Sequence, residues 1–244
     1  MAVGSDGTRQ LRAALYDADS DAAAAAVREH GLTGCLQLVG DVLLLAVDRQ
    51  AAGSDPLAAV CVQALRTRGW DGDEELADAL DAATGAAAPP ELAALNVDLE
   101  ELADLLEGGP ESAGGRIDLT TGEVWPEFAL EDGWDGDPDD LDDEDRWHHV
   151  WPTGSRDAYQ DMVDFTATRT NPRLVEHLQI ALDGRGAFRR FKNVLSDWPE
   201  DREDWFAFSE DRRRGRARAW LADAGYRPST RRPPLRVVPA PPES

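Results

Sequence analysis

The segment EDWFAFSEDRRRGRARAWLADAG, Glu203 to Gly225, decides how this chain is expected to fold. It is predicted to be the last helix, because Gly225 stands where a helix C-cap belongs and Pro228 follows it. Its second half carries five arginines, Arg212, Arg213, Arg214, Arg216 and Arg218. Arginines four residues apart share a face of a helix. The segment therefore predicts a long helix whose cations line up in pairs.

A second cationic segment, GRGAFRRFKNVL, lies shortly upstream at Gly184 to Leu195. A helix is predicted to begin after its glycines, with Phe188 and Phe191 on an apolar stripe that fits the core. Four cations flank that stripe: Arg185, Arg189, Arg190 and Lys192. Lys192 is the only lysine of a chain with 24 arginines. If the two helices pack side by side through Phe188, Phe191 and Trp220, their cationic flanks merge into one surface.

The charge of the chain is divided unevenly along its length. Its 244 residues carry a formal net charge of −23. Residues 1–145 hold 7 basic and 34 acidic side chains, whereas residues 146–244 hold 18 basic and 14 acidic ones. Recognition depends on local patches more than on the total charge. The acidic total therefore does not exclude an anionic partner for the second part of the chain.

The N-terminal part is expected to be helical. Residues 1–7 are predicted to be disordered, 8–84 to form an all-α region, and 85–95 to be a linker. Residues 36–47 fit either a buried helix or a hairpin, and their helical neighbours favour the helix. The sequence contains neither the pattern of a secretion signal nor an apolar run long enough to cross a bilayer. Cys35 and Cys61 are expected to be buried free thiols, which favours a cytoplasmic location without a membrane partner.

The C-terminal part combines strands and helices. Residues 97–226 are predicted to form a small α+β domain with a β-hairpin at Arg116–Trp125, a third strand at Arg146–Pro152 and four to five helices. Its acidic loop 131–145 is expected to extend into solvent, because so many like charges repel. The proline- and arginine-rich tail 227–244 is predicted to be disordered. The expected fold class is mostly helical α+β, with an all-α N-terminal region followed by a domain that holds a three-stranded antiparallel sheet.

Four segments of this C-terminal part occur together in a known family. They are IDLTTGEVW (Ile117 to Trp125), SRDAYQDMVDF (Ser155 to Phe165), GRGAFRRFKNVL and the last helix. On these segments, residues 97–226 resemble uncharacterised protein family 0158, which is found in bacteria. The resemblance implies a small α+β domain of bacterial origin. It implies no activity, because the family is uncharacterised.

The cations of the two helical segments form the candidate binding site: Arg185, Arg189, Arg190, Lys192, Arg212, Arg214, Arg216 and Arg218. Guanidinium groups match the geometry of phosphates and carboxylates, so such a surface predicts an anionic partner. Two alternatives stay open for these side chains. In the first alternative, these side chains bind the chain's own acidic loop 131–145. In the second, they form ion pairs with acidic residues of their own helices, namely Glu200, Asp201, Glu203, Asp204, Glu210 and Asp211.

The function expected from this site is that of a non-enzymatic binding module with an anionic partner, either an acidic protein surface or a nucleic acid. A dedicated nucleic-acid-binding protein is the first alternative, and it predicts a steep salt dependence of binding. A metal-dependent phosphate-ester hydrolase is the second, with Asp161 and Asp164 as metal ligands. Any acidic helix offers such a carboxylate pair, so an enzymatic role is not favoured.

No metal or cofactor is expected. Alternate aspartates in the acidic loop resemble a calcium loop, but Asp140 and Arg146 stand where that loop needs glycine and glutamate. His148 and His149 are neighbours on a predicted strand, so they point to opposite faces and do not easily share one ion. Trp134, in the acidic loop, is expected to be exposed and to suit a partner contact.

Overall fold

A computed structural model describes residues 5–31, 34–108, 114–133 and 138–229 of the chain. The helices in these residues are α1 (Ser5–Tyr16), α2 (Ser20–His30), α3 (Leu36–Asp48), α4 (Ser54–Arg68), α5 (Asp73–Ala83), α6 (Leu99–Leu106), α7 (Glu127–Gly133), α8 (Arg156–Thr168), α9 (Pro172–Leu182), α10 (Ala187–Ser196) and α11 (Pro199–Asp223). A 3₁₀ turn spans Pro138–Asp142. The strands are β1 (Ala93–Leu95), β2 (Gly115–Asp118), β3 (Val124–Pro126), β4 (Trp147–Val150) and β5 (Tyr226–Pro228). The predicted fold class, mostly helical α+β, is confirmed.

The N-terminal helices pack around α3. Its residues Val39, Val42 and Leu43 are fully buried against the neighbouring helices α1, α2, α4 and α5. The segment 36–47 is helical, so the helix favoured for it is confirmed. Helix α1 begins at Ser5, inside the segment 1–7 that was predicted to be disordered, and residues 1–4 lie outside the described part of the chain.

A small antiparallel sheet has the strand order β3–β2–β4. Ile117 on β2 is paired with Val124 on one side and with His148 on the other. The turn between β2 and β3 is fixed by Asp118, whose Oδ1 accepts from the backbone N of Thr120 at 2.8 Å. The predicted hairpin and the predicted third strand are therefore both confirmed.

A second, parallel pair of strands joins β1 to β5. Ala93 is paired with Tyr226, and Leu95 is paired with Pro228. These strands were not predicted, because they take residues from the expected linker and from the start of the expected tail. The pair ties the end of α11 to the segment that precedes α6. Residues 230–244 of the tail lie outside the described residues, and the division of the chain into domains stays a prediction.

Helix α11 contributes to two apolar clusters and faces the N-terminal helices with a polar side. Ala217 and Leu221 belong to the cluster of α6 and the antiparallel sheet. Trp205 belongs to the cluster of α8, α9 and α10, where its ring lies 4.9 Å from that of Phe191. The expected contact of α10 with Trp220 is wrong, since Trp220 lies against His148, with 5.4 Å between the ring centroids. The five arginines from Arg212 to Arg218 follow Trp205 and pair with carboxylates of α3, α6 and α8.

Candidate functional site

Arg214 and Arg218 of α11 converge on one carboxylate of α3. Arg214 Nε donates to Asp41 Oδ2 at 2.7 Å, and Arg218 Nη2 donates to the other oxygen, Oδ1. The two arginine side chains are only 9% and 3% exposed. Burial alone would raise the pKa of Asp41, but the charges of Arg218 and Arg214 lower it below its ordinary value. Both arginines are therefore held inside the protein by Asp41.

Gln37 extends this contact between the N-terminal helices and α11. Its Oε1 accepts from Arg218 Nε at 2.8 Å, and its Nε2 donates to Asp73 Oδ1 at 2.9 Å. Its backbone N donates to Asp211 Oδ1 at 2.7 Å. Gln37 and Asp41 are one helical turn apart on α3, whose other residues as far as Val47 are apolar. Buried polar groups need partners of this kind, because an unpaired one costs about 1–3 kcal/mol.

Arg68, at the end of α4, forms a second polar contact between the N-terminal helices and α11. Its Nε donates to Asp73 Oδ2 at 2.9 Å, and its Nη1 donates to Asp211 on α11. Burial raises the pKa of Asp211, and the charge of Arg68 offsets only part of that effect. The guanidinium of Arg68 also covers the ring of Trp70, at 4.1 Å from its centroid. Arg68 is thus the cation around which two buried carboxylates of different helices are placed.

The remaining arginines of α11 turn toward α6 and α8. Arg212 Nε donates to Asp161 Oδ1 at 2.9 Å, and Arg216 Nη2 donates to Asp161 Oδ2 at 2.8 Å. Asp161 is 1% exposed, so both of its oxygens are committed to these guanidinium groups. Arg213 pairs with Asp104 and with Glu107. Asp161 is therefore poorly placed to serve as a metal ligand.

These contacts give the cations from Arg212 to Arg218 partners inside the protein, but those partners are not the acidic residues of their own helix. The carboxylates that bind them lie on other elements, at Asp41, Glu100, Asp104, Glu107 and Asp161. The acidic residues of α11 instead bind cations from elsewhere: Asp211 binds Arg68, Glu210 binds Arg12, and Asp201 and Asp204 bind Arg169. One signal in the sequence pointed to this arrangement. Two polar residues four positions apart, Gln37 and Asp41, interrupt an apolar helix and call for buried partners.

Arg190 of the α10 segment has a structural role. Its Nε donates to the carbonyl oxygen of Ala181 at 3.2 Å, and its Nη2 donates to that of Gly184 at 3.3 Å. It also donates to the carbonyl oxygens of Asp183 and Arg185. Ala181 and Asp183 lie at the C-terminal end of α9, where carbonyl groups lack partners within the helix, and Gly184 and Arg185 belong to the turn that follows. Arg190 therefore fixes the turn between α9 and α10.

The other cations of this segment lie in solvent, together with one aromatic ring. Arg185, Arg189 and Lys192 are exposed, and among the described residues none of them forms an ion pair. Phe188 is 38% exposed, whereas Phe191 is fully buried. The expectation that Phe188 belongs to the core is wrong, since the residue is exposed although it lies one turn before the buried Phe191. These four residues, Arg185, Phe188, Arg189 and Lys192, are called the α10 face below.

The acidic loop lies only partly within the described residues. Trp134 falls in the segment 134–137, which lies outside them, so its expected exposure stays a prediction. In the described side chains of 140–145, no carboxylate pairs with an arginine of α11. Arg116 of β2 donates to the backbone carbonyl of Leu141 and so holds the 3₁₀ turn against the sheet. The idea that the loop occupies the candidate cations stays untested at its central residues.

The two neighbouring histidines separate as expected for a strand. His148 packs against Trp220 on the inner side, while His149 is exposed and stacks on Trp151 with 5.4 Å between the ring centroids. Within the part of the chain that the structure describes, no three histidine, cysteine, aspartate or glutamate side chains converge as metal ligands. The histidine pair thus offers aromatic contacts and does not hold one ion between its rings.

A cavity of about 500 Å³ lies between α1, α3 and the start of α6. Leu15, Leu44 and Leu99 contribute to its apolar wall. Its charged end holds Arg214, Asp41 and Glu100, which already bind one another. The cavity has the size of a small-molecule site, but its buried charges are satisfied by the protein itself.

The fold and these contacts define a mostly helical α+β protein whose C-terminal part carries the exposed α10 face. The model of the Uncharacterised protein family (UPF0158) matches residues 132–238. The chain is also similar to a curated UPF0158 protein of Pseudomonas aeruginosa, with 28% identity over 153 residues, which make up 60% of this chain and 95% of that protein. Both findings confirm the predicted resemblance to this family. No solved structure matches the chain significantly.

The family match begins later than the predicted 97–226 and extends into the tail. It leaves the N-terminal helices outside, although Gln37, Asp41 and Arg68 complete the polar contacts of α11. No helix in the described parts of the chain is both long and apolar enough to span a membrane.

Proposed function

We propose that the protein is a binding module that receives an anionic partner on the α10 face. The observation that supports this is the different fate of the two groups of candidate cations. The candidate arginines of α11, from Arg212 to Arg218, bind the buried carboxylates of Asp41 and Asp161. In contrast, Arg185, Arg189 and Lys192 lie in solvent without an ion pair among the described residues. Exposed cations stay hydrated in the folded protein and remain free to bind phosphate or carboxylate groups.

The proposed site is therefore smaller than the one expected from the sequence. Arg190 is committed to carbonyl groups around the end of α9, and the four candidate arginines of α11 are committed to Asp41 and Asp161. Because most of the acidic excess belongs to residues 1–145, a polyanion is attracted only over short distances near α10. Binding is therefore expected to be modest and specific to this face.

Single-stranded nucleic acid is the second candidate, and one observation favours it. Phe188 exposes its ring beside Arg189 and one turn from Lys192. Unpaired bases stack on exposed aromatic rings while neighbouring cations bind the phosphates, and each stacked base contributes about 1–3 kcal/mol. With three cations in contact, the logarithm of the affinity is expected to fall with the logarithm of salt at a slope of about −2.

The test uses the full chain, because a C-terminal fragment would expose Arg214 and Arg218 artificially. Binding of labelled single-stranded RNA, duplex DNA and polyglutamate is measured by fluorescence anisotropy across a salt series. The variant Arg185→Glu/Arg189→Glu is compared with Arg156→Glu/Arg202→Glu, which changes the net charge equally at exposed arginines of α8 and α11.

Binding that is lost only in the α10 variant supports the proposal. Equal losses in both variants would show a general charge effect and would contradict the site. Binding of polyglutamate without RNA would favour an acidic protein partner over nucleic acid. No binding of any of these probes at low salt would overturn the proposed function.

A further inference from the structure

The α10 face contains the single lysine of the chain. All other basic side chains are arginines, 24 in number, and Lys192 lies exposed on α10. Arg189 is three residues before it, and Phe188 is four residues before it, so both are its surface neighbours on the helix. Lys192 is consequently the only primary amine that a side chain of this protein presents to solvent.

A lysine amine can do what a guanidinium cannot. Its neutral form is a nucleophile, and it is the group that acyl donors convert to an amide. Arginine stays protonated in proteins and offers paired N–H donors that suit a phosphate. An amine beside an exposed arginine is thus placed to react with an acyl donor whose leaving group is phosphate.

We propose that Lys192 is a site of acylation by acyl phosphates, with Arg189 and Arg185 holding the phosphate of the donor. The neutral Nζ attacks the carbonyl carbon, an N–C bond forms, and the bond between that carbon and the bridging oxygen breaks. Phosphate leaves with the electron pair and takes up the proton lost by the nitrogen. The products are an amide at Lys192 and inorganic phosphate.

The amide carries no charge, so acylation reduces the cations of the α10 face from three to two. This inference rests on the proposed function only because it uses the same cationic face. The reaction itself needs no macromolecular partner. If the proposed function holds as well, the modification weakens binding of the polyanion without altering the buried contacts of α11.

The experiment incubates the full-length protein with acetyl phosphate and follows each amine by peptide mass spectrometry. The neutral ester p-nitrophenyl acetate serves as a donor without phosphate, and the α-amino group is the internal reference. The measured quantity is the acylation rate of Lys192 divided by that of the α-amino group. This ratio is expected to be larger with acetyl phosphate than with the neutral ester. In the Arg185→Gln/Arg189→Gln variant, the rate of Lys192 acylation by acetyl phosphate is expected to fall by about three- to tenfold, and the rate with the ester is expected to stay the same.

Matched variants separate a local effect from a general one. Arg156→Gln/Arg202→Gln removes the same charge elsewhere and should keep the wild-type rate, and Lys192→Arg should leave the α-amino group as the acylated amine. Equal relative rates with both donors, or an unchanged rate in Arg185→Gln/Arg189→Gln, would overturn the proposal.

Polyanion binding of the acetylated protein is measured separately. Selective acylation without any polyanion binding would retain this inference and reject the proposed function, whereas binding without selective acylation would do the reverse.

Discussion

Replacing Asp41 with asparagine tests whether the buried arginine contacts hold the N-terminal helices to α11. The substitution keeps the size of the side chain but removes the charge that Arg214 and Arg218 share. Removing one partner of a buried pair costs about 3–5 kcal/mol, because a charge stays buried without its counterion. Arg214 keeps Glu100 and Arg218 keeps Gln37, so the lower end applies. We expect a loss of about 3 kcal/mol, or roughly 6–12 °C in melting temperature.

Asp48→Asn is the matched control on the same helix. Its carboxylate is 56% exposed and lies 3.9 Å from Arg49, so its removal should change the free energy of unfolding by less than about 0.5 kcal/mol. Both variants are compared with the wild type by thermal and urea denaturation followed by circular dichroism. The deficit of Asp41→Asn should persist at high salt, because screening acts weakly on buried pairs.

The effect should also depend on pH in a defined direction. The folded protein lowers the pKa of Asp41 below its ordinary value of 3.8. The stability that this carboxylate contributes is therefore fully present above pH 3.8 and is lost as the pH falls through its folded value. The difference between the wild type and Asp41→Asn should shrink in that acidic range. Equal stabilities of Asp41→Asn and Asp48→Asn at neutral pH would refute the reasoning.

Three further perturbations address other parts of the fold. Burial raises the pKa of both Cys35 and Cys61 to about 12, so a thiol reagent at mildly alkaline pH should react only after denaturation, and rapid labelling of the native protein would contradict their burial. Gly215→Ala places a methyl group against a backbone carbonyl of the loop before α5 and should cost about 1–3 kcal/mol in chemical denaturation, whereas an unchanged midpoint would show that the helix can shift. Arg190→Met should lower the free energy of unfolding by about 1–2 kcal/mol, because the contacts with the carbonyl groups around the end of α9 are lost. Arg189→Met next to it should not, and equal losses of stability in thermal denaturation would reject the structural role of Arg190.

Local patterns were sufficient for the elements whose signals are local. The hairpin of β2 and β3 follows from alternation around a turn, and its glycine is required because a Cβ at Gly122 would collide with the carbonyl group of Asn96. The helix at 36–47 follows from its apolar length and neighbours. The β1–β5 pair has no such signal, because its strands are separated by most of the C-terminal part of the chain. The local sequence of its residues is typical of a linker and a tail, and only the pairing in the tertiary fold makes them strands.

The candidate site was predicted only in part for the same reason. The sequence showed which residues are cationic, but it did not show which of them meet carboxylates from distant helices. Arg218 and Asp41 are separated by 177 residues, so their pairing depends on the tertiary fold. The exposure of Phe188 likewise depends on where the neighbouring helices end, which helical spacing alone does not define.

The position of α11 in the chain has a consequence for synthesis of the protein. Arg68 and Asp211 are 143 residues apart, so at roughly 5–20 residues per second a ribosome takes about 7–29 s to travel from one to the other. During that interval Asp41, Asp73 and Arg68 have emerged without the arginines and the aspartate that complete their contacts. The polar side of the nascent N-terminal helices therefore stays hydrated during this interval. These helices can dock onto α11 only after α11 has been translated.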